Sequence, residues 1–303
     1  MLRKLFLCLL LLSINLLLSA DKTDFKSIHK SALEGKADAQ YETGLAYLNG
    51  EKTERDFEKA LFWFTKAANQ NHADAANQIG QIYALGYGVE ANYKTAEKWL
   101  LKGAELNSYE ACFSLGALYL HGKIGGRPEP ENAEKWLAKA AENNNPDMFF
   151  SIGSVFDSAT PEIRKPETAA VWYKKAADQG HALAMLSLGI MADSGDGMKK
   201  DSEQALKLYH KAAEKGEPLA AYFLGLAYSN NDKEEENAQK AAAWMLKAAE
   251  AGLPEAAFAI SGMYKEGIGI KKDTQQSFFW LLKAAENGHQ EARELLTKQL
   301  SNQ

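Results

Sequence analysis

All six tryptophans of the chain fall in one periodic slot. Trp63, Trp99, Trp136, Trp172, Trp244 and Trp280, with Leu208 in the vacant fifth place, are separated by steps of 36 residues and a single step of 37. A second ladder, Gly44, Gly80, Gly116, Gly153, Gly189 and Gly225, closed by Ser261, has the same steps, but its 37 falls in a different interval. Only an insertion between Gly116 and Trp136 satisfies both ladders, which places it in the segment HGKIGGRPEPE. A third ladder holds residues that tolerate positive φ: Gly35, Asn71, Asn107, Asn144, Gly180, Gly216, Gly252 and Gly288. Three ladders in one register mean that the unit of structure is about 36 residues long. One such unit cannot bury its apolar face alone, so the core forms by stacking.

Each unit reads as two helices. Asp56, Asn92, Asp201, Asn237 and Asp273 share one slot and are natural N-caps for the second helix, with Glu129 and Lys165 as weaker members. Alanine, tryptophan and alanine then recur at i, i+3 and i+7, as in Ala60, Trp63 and Ala67, which is a helical stripe. The Gly/Asn ladder supplies the left-handed residue that ends this helix. The next helix starts at once, with Pro146, Pro218 and Pro254 in its first turn. In this first helix a small residue (Ala39, Ala75, Ala111, Ala184, Ala220, Ala256, with Met148 the exception) precedes the glycine ladder by five. The glycine itself stands mid-helix, where it costs about 1 kcal/mol relative to alanine. A cost repeated in register predicts a neighbouring helix too close for a side chain. The tryptophans are predicted to be core.

Residues 21–35 match the second half of a second helix and residues 288–303 a first helix, leaving seven full repeats over 36–287. The expectation is an all-α α/α solenoid of about 16 helices with no sheet. Residues 1–20, MLRKLFLCLLLLSINLLLSA, have the layout of a signal peptide: Arg3 and Lys4, an apolar run, and Ser19-Ala20 before the cut. Cleavage leads to a periplasmic or secreted protein; retention makes the same run a membrane anchor. Without Arg3 and Lys4 the net charge moves from −5 to −7. An acidic surface argues against nucleic-acid partners. An apolar share of 46% and an aromatic share of 10% argue against disorder. No later apolar run approaches membrane-spanning length. With Cys8 in the leader, Cys112 is left alone and no internal disulfide can form.

Candidate chemistry is sparse. His72, His181 and His289 share the slot after the left-handed residue and read as turn-stabilising residues, not metal ligands. Ser27 and Lys30 form S-x-x-K, the acylation motif of penicillin-recognising enzymes, but neither SDN nor KTG follows. Ser27 occupies the tryptophan slot and is expected to face inward. Asp193 to Gly197 lacks the alternating acids and closing glutamate of a calcium loop. The run from Asp232 to Glu236 reads as a solvated loop, and Cys112 as a small buried hydrophobe. No catalytic residue, metal or cofactor is expected.

The pattern A-x-x-x-L-G-x-x-Y…G-x-G-V…A-x-x-W-x-x-K-A-A resembles the Sel-one-like repeat (SLR), a relative of the tetratricopeptide repeats. Repeat two carries it in Gly80, Tyr83, Gly86, Gly88, Val89, Ala96 and Trp99. Repeat seven carries Tyr264, Gly267, Gly269, Trp280, Lys283, Ala284 and Ala285. Repeats three, four and six lose the G-x-G-V loop. The resemblance implies a right-handed superhelix of antiparallel helix pairs whose first helices line a concave groove, and a bacterial scaffold or adaptor, often exported. Cysteine-rich members have been linked to β-lactam binding; with no paired cysteines this chain departs from that branch.

By that analogy the groove-lining slots lie six and two before the glycine and one and five after it. They hold acids early, at Asp38, Glu42, Asp74, Glu110 and Asp147. In repeats five and six they turn apolar, at Leu183, Ile190, Leu219, Phe223 and Leu226. Either tighter local packing buries these five, or they form a partner-binding patch. The functional expectation is a monomeric, non-enzymatic adaptor of the bacterial envelope holding a protein or peptide in its groove. The alternatives are an envelope hydrolase of the β-lactam or peptidoglycan type and a structural subunit of an envelope complex.

Overall fold

A computed structural model describes residues 25–51, 53–230 and 235–301. The leader and most of the Asp232–Glu236 run lie outside them. The described residues form sixteen α-helices and no strand. The chain divides into two compact units, residues 1–172 and 173–303, with the division inside one helix. Unit 1 holds α1 (Phe25–Leu33), α2 (Ala37–Asn49), α3 (Phe57–Asn69), α4 (Ala73–Leu85), α5 (Tyr93–Glu105), α6 (Tyr109–Leu120), α7 (Pro130–Ala140), α8 (Pro146–Asp157) and the start of α9 (Pro166–Asp178). Unit 2 holds the rest of α9, then α10 (Ala182–Ser194), α11 (Ser202–Glu214), α12 (Pro218–Asn230), α13 (Glu235–Glu250), α14 (Pro254–Glu266), α15 (Thr274–Glu286) and α16 (Gln290–Ser301).

The punctuation follows the ladders. All eight members of the Gly/Asn ladder have positive φ, from 51° at Asn144 to 103° at Gly288. Asp56, Asn92, Asp201 and Asp273 cap their helices by accepting backbone N–H groups two or three residues on. Asn237 differs in position: α13 begins two residues earlier, at Glu235, which places Asn237 in its first turn. The insertion after α6 is absorbed by a loop with positive φ at Gly122, Gly125 and Gly126.

The glycine ladder has a steric cause. A Cβ on Gly80 would lie 2.5 Å from Leu100 Cγ, and one on Gly116 2.6 Å from Leu137 Cγ. Phe64, Tyr209 and Met245 press on Gly44, Gly189 and Gly225 in the same way. The close neighbour is therefore the second helix of the same repeat. In repeat seven Ser261 fits because its hydroxyl donates to the Ser277 carbonyl at 2.7 Å.

The knob in each pair is the residue after the tryptophan slot, and this corrects the expectation that the tryptophans are core. Trp63 and Trp280 are buried, but Trp99, Trp136, Trp172 and Trp244 are only half-buried. One residue further is about 100° further around a helix, and that turn points Phe64, Leu100 and Leu137 inward. The indole faces carry a different load. Lys66, Lys102, Lys139 and Lys247 place Nζ over the indole three residues before, at 5.6, 5.3, 5.7 and 4.8 Å from the ring centre. Lys102 and Lys139 also donate to the carbonyls of Ala68 and Ala104, at 2.7 and 3.2 Å. These carbonyls end the second helix of the preceding repeat, where a cation is favoured. The W-x-x-K-A-A spacing thus joins neighbouring repeats.

Candidate binding face on the first helices

The histidines in the turn slot are caps. Nδ1 of His72, His181 and His289 accepts the N–H of Ala75, Ala184 and Ala292 at 3.3, 3.0 and 3.3 Å. Ser108 does the same for Ala111 in repeat three. His72 and His289 also stack on Tyr41 and Phe258 of the preceding repeat. Cys112 is buried, and burial raises its thiol pKa, which suits a packing residue. Ser27 is exposed on α1, contrary to the expectation, because no first helix among the described residues covers its slot. Among the described residues no three His, Cys, Asp or Glu side chains could hold a metal ion, and no helix is long and apolar enough to cross a membrane.

In unit 1 the first-helix face largely bonds to itself. Ser108 Oγ lies 3.4 Å from a carboxylate oxygen of both Asp74 and Glu110. Ser114 donates to Asn77 Oδ1 at 3.1 Å, and Gln81 reaches Ser114 at 3.4 Å. Burial, with the Asp74 charge behind it, raises the Glu110 pKa, and burial beside Asp74 also raises that of Tyr41. Asp38 and Glu42, by contrast, are exposed.

His121 takes the last of these slots in repeat three, and its Nε2 is buried without a hydrogen-bond partner. Burial, then the Lys123 charge, lowers its pKa below the ordinary 6.5. The unfolded chain therefore takes the proton more readily. The contribution of the neutral ring is fully present above the unfolded value and is lost as pH falls below it. Glu110, with its raised pKa, works in the opposite sense, so variants must be compared at matched pH. The melting temperature of the wild type should drop more between pH 7.5 and 5.5 than that of His121→Gln. Equal drops would remove His121 from the account.

In unit 2 the face is apolar and open. Leu183, Ile190 and Leu219 are 36%, 39% and 41% exposed. Phe223 and Leu226 are half-buried, and Phe223 stacks on Tyr209 with ring centres 5.4 Å apart. Burial, with Asp193 adding to it, pushes the Tyr209 pKa up to about 12. Leu219, Phe223 and Leu226 stand at i, i+4 and i+7 and form one ridge along α12. One repeat on, the same slots hold Glu255, Ala259, Gly262 and Glu266. Sequence reasoning passed over Gly262. It is exposed in α14, has an ordinary helical φ, and a Cβ there would meet nothing within 4 Å. Its cost of about 1 kcal/mol has no internal steric reason. The available signal was a glycine where the other six repeats carry Leu45, Gln81, Ala117, Ser154, Ile190 and Leu226.

Paired helices in a 36-residue register, locked by a glycine and a large apolar knob, define an α/α repeat protein. The chain belongs to the Sel1 repeat family, whose sequence model matches residues 37–72, 73–108, 110–145, 160–181, 182–217, 218–253 and 254–289. Among solved structures it is similar to a Sel1 repeat protein from Oxalobacter formigenes, at 30% identity over 90% of this chain and 79% of that one, with a TM-score of 0.64. It is also similar to a protective antigen present in uropathogenic Escherichia coli strains that displays an SLR fold. That match has 29% identity over 88% of this chain and 65% of the other, and a TM-score of 0.50. No curated protein sequence matches the chain. The fold is a scaffold of the kind that serves protein–protein interaction.

Proposed function

We propose that the chain is a non-enzymatic adaptor of a bacterial envelope, exported and freed of residues 1–20. It holds a protein or peptide partner on the first-helix face of repeats five and six. The observation that carries this reading is the exposure of Leu183, Ile190 and Leu219 beside Phe223 and Leu226. Soluble proteins rarely leave a contiguous apolar patch open unless something binds it. The Sel1 repeat scaffold supports the adaptor role, and the signal-peptide layout of residues 1–20 is the ground for export. Affinity capture from an envelope extract with the purified chain tests the adaptor role: a partner should be retained reproducibly, and an empty eluate would remove the proposal. Export has its own test. The protein in the envelope fraction should begin at Asp21 by N-terminal sequencing, whereas a retained Met1 with tight membrane association would make the leader an anchor.

A further inference from the structure

We propose that the occupant of this face is a basic amphipathic helix lying along α14. Its backbone would sit against Gly262, its apolar side toward Phe223 and Leu226, with a lysine or arginine at each end beside Glu255 and Glu266. The inference rests on the first-helix face of unit 2 being the binding face. It adds the chemistry of the partner.

Three observations on the first helices of two successive repeats lead there. The α12 ridge of Leu219, Phe223 and Leu226 runs along its helix for two turns, the form that a helical apolar stripe complements. In the register of the repeats, Ala259 and Gly262 stand in the slots of Phe223 and Leu226, so the ridge gives way to a low floor. The exposed Gly262, with open space where its Cβ would be, admits close approach of another backbone. Two exposed acids close the floor at its ends. Glu255 and Glu266 are eleven residues apart, about 16 Å at the rise of an α-helix. A helix lying along α14 matches them with basic residues at the same spacing. Lys265, 3.8 Å from Glu266 and itself well exposed, leaves that carboxylate open to a partner.

The test uses three fluorescent peptides of about 18 residues with one shared leucine face, long enough for a helix to span both acids. They carry lysine, glutamate or glutamine at two positions eleven apart, and fluorescence anisotropy reads binding to the full chain. The lysine peptide should saturate below about 100 µM, and the other two should bind at least about tenfold more weakly. Glu255→Lys with Glu266→Lys should reverse the order of the lysine and glutamate peptides. Gly262→Trp should weaken the lysine peptide about tenfold or more with the helical circular-dichroism signal unchanged. Equal binding of all three peptides, binding of none, or indifference to Gly262→Trp overturns the proposal. Phe223→Ala with Leu226→Ala separates the two levels. If that pair abolishes binding while charge reversal does nothing, the face stands and the basic helix falls. If the pair is also without effect, the face itself is wrong.

Discussion

Phe64→Ala should destabilise the first unit by about 3–5 kcal/mol, the usual cost of truncating a fully buried aromatic side chain. Phe64 has no exposed surface and packs with Ala60, Ala67, Ala75, Ile79 and Ile82. Its ring also fills the space over Gly44, so truncation opens a cavity that the helical backbones on either side cannot readily collapse. Phe62→Ala, two residues away, is the control. That ring is 53% exposed, and its loss should change stability by no more than about 0.5 kcal/mol. Chemical denaturation followed by circular dichroism distinguishes the two. A repeat array can unfold in sections, so the Phe64 variant is expected to split one transition into two. Equal stability of both variants would show that the residue after the tryptophan slot is not the core anchor. Trp172→Ala, at a half-buried ring, should cost less than Phe64→Ala.

Phe223→Ala with Leu226→Ala should abolish capture of the partner while leaving the fold in place. Leu183, Ile190 and Leu219 alone still offer apolar area, but aromatic anchors usually dominate such interfaces. Phe223 is the aromatic residue of the patch, held in place by its stack on Tyr209. The helical signal and the melting temperature of the double variant should stay close to those of the wild type. A loss of several kcal/mol would show that the two side chains belong to the interior. Normal folding with capture intact would move the site, and Asp38 and Glu42 on the open part of the unit 1 face would become the better candidates.

The ladders made the fold legible because each marks a local backbone event. Positive φ at Asn71, Asn107 and Asn144 is a property of single residues, and the sequence reports it directly. The same holds for the caps at Asp56, Asn92, Asp201 and Asp273. Packing depth was less legible. Trp99 and Leu100 are adjacent and both apolar, and periodicity does not say which of two neighbours at the edge of a stripe turns inward. The contact of Leu100 with Gly80 decides it, twenty residues away in sequence. Asn237 was misread because the helix starts at Glu235, two residues before the slot that the other repeats use for the cap. On the candidate face, the sequence separated charged slots from apolar ones. It could not show that the Ser108 hydroxyl stands between the carboxylates of Asp74 and Glu110 while Leu183 and Leu219 remain open, because that depends on distances between repeats. Gly262 was overlooked because it breaks no ladder.

The glycine and its knob also set how such an array can change over generations. Gly44 with Phe64, Gly80 with Leu100, Gly189 with Tyr209 and Gly225 with Met245 are each twenty residues apart, and each pair shares one volume. A methyl group gained on the first partner must be given back by the second or by the backbone. The two positions therefore form one heritable character. In repeat seven, where the small partner is Ser261, its hydroxyl donates to the carbonyl of Ser277, which stands in a slot that holds alanine in every other repeat. A repeat copied whole carries its matched pair with it, so duplication of 36-residue blocks is a gentler route to a new array than point substitution within one.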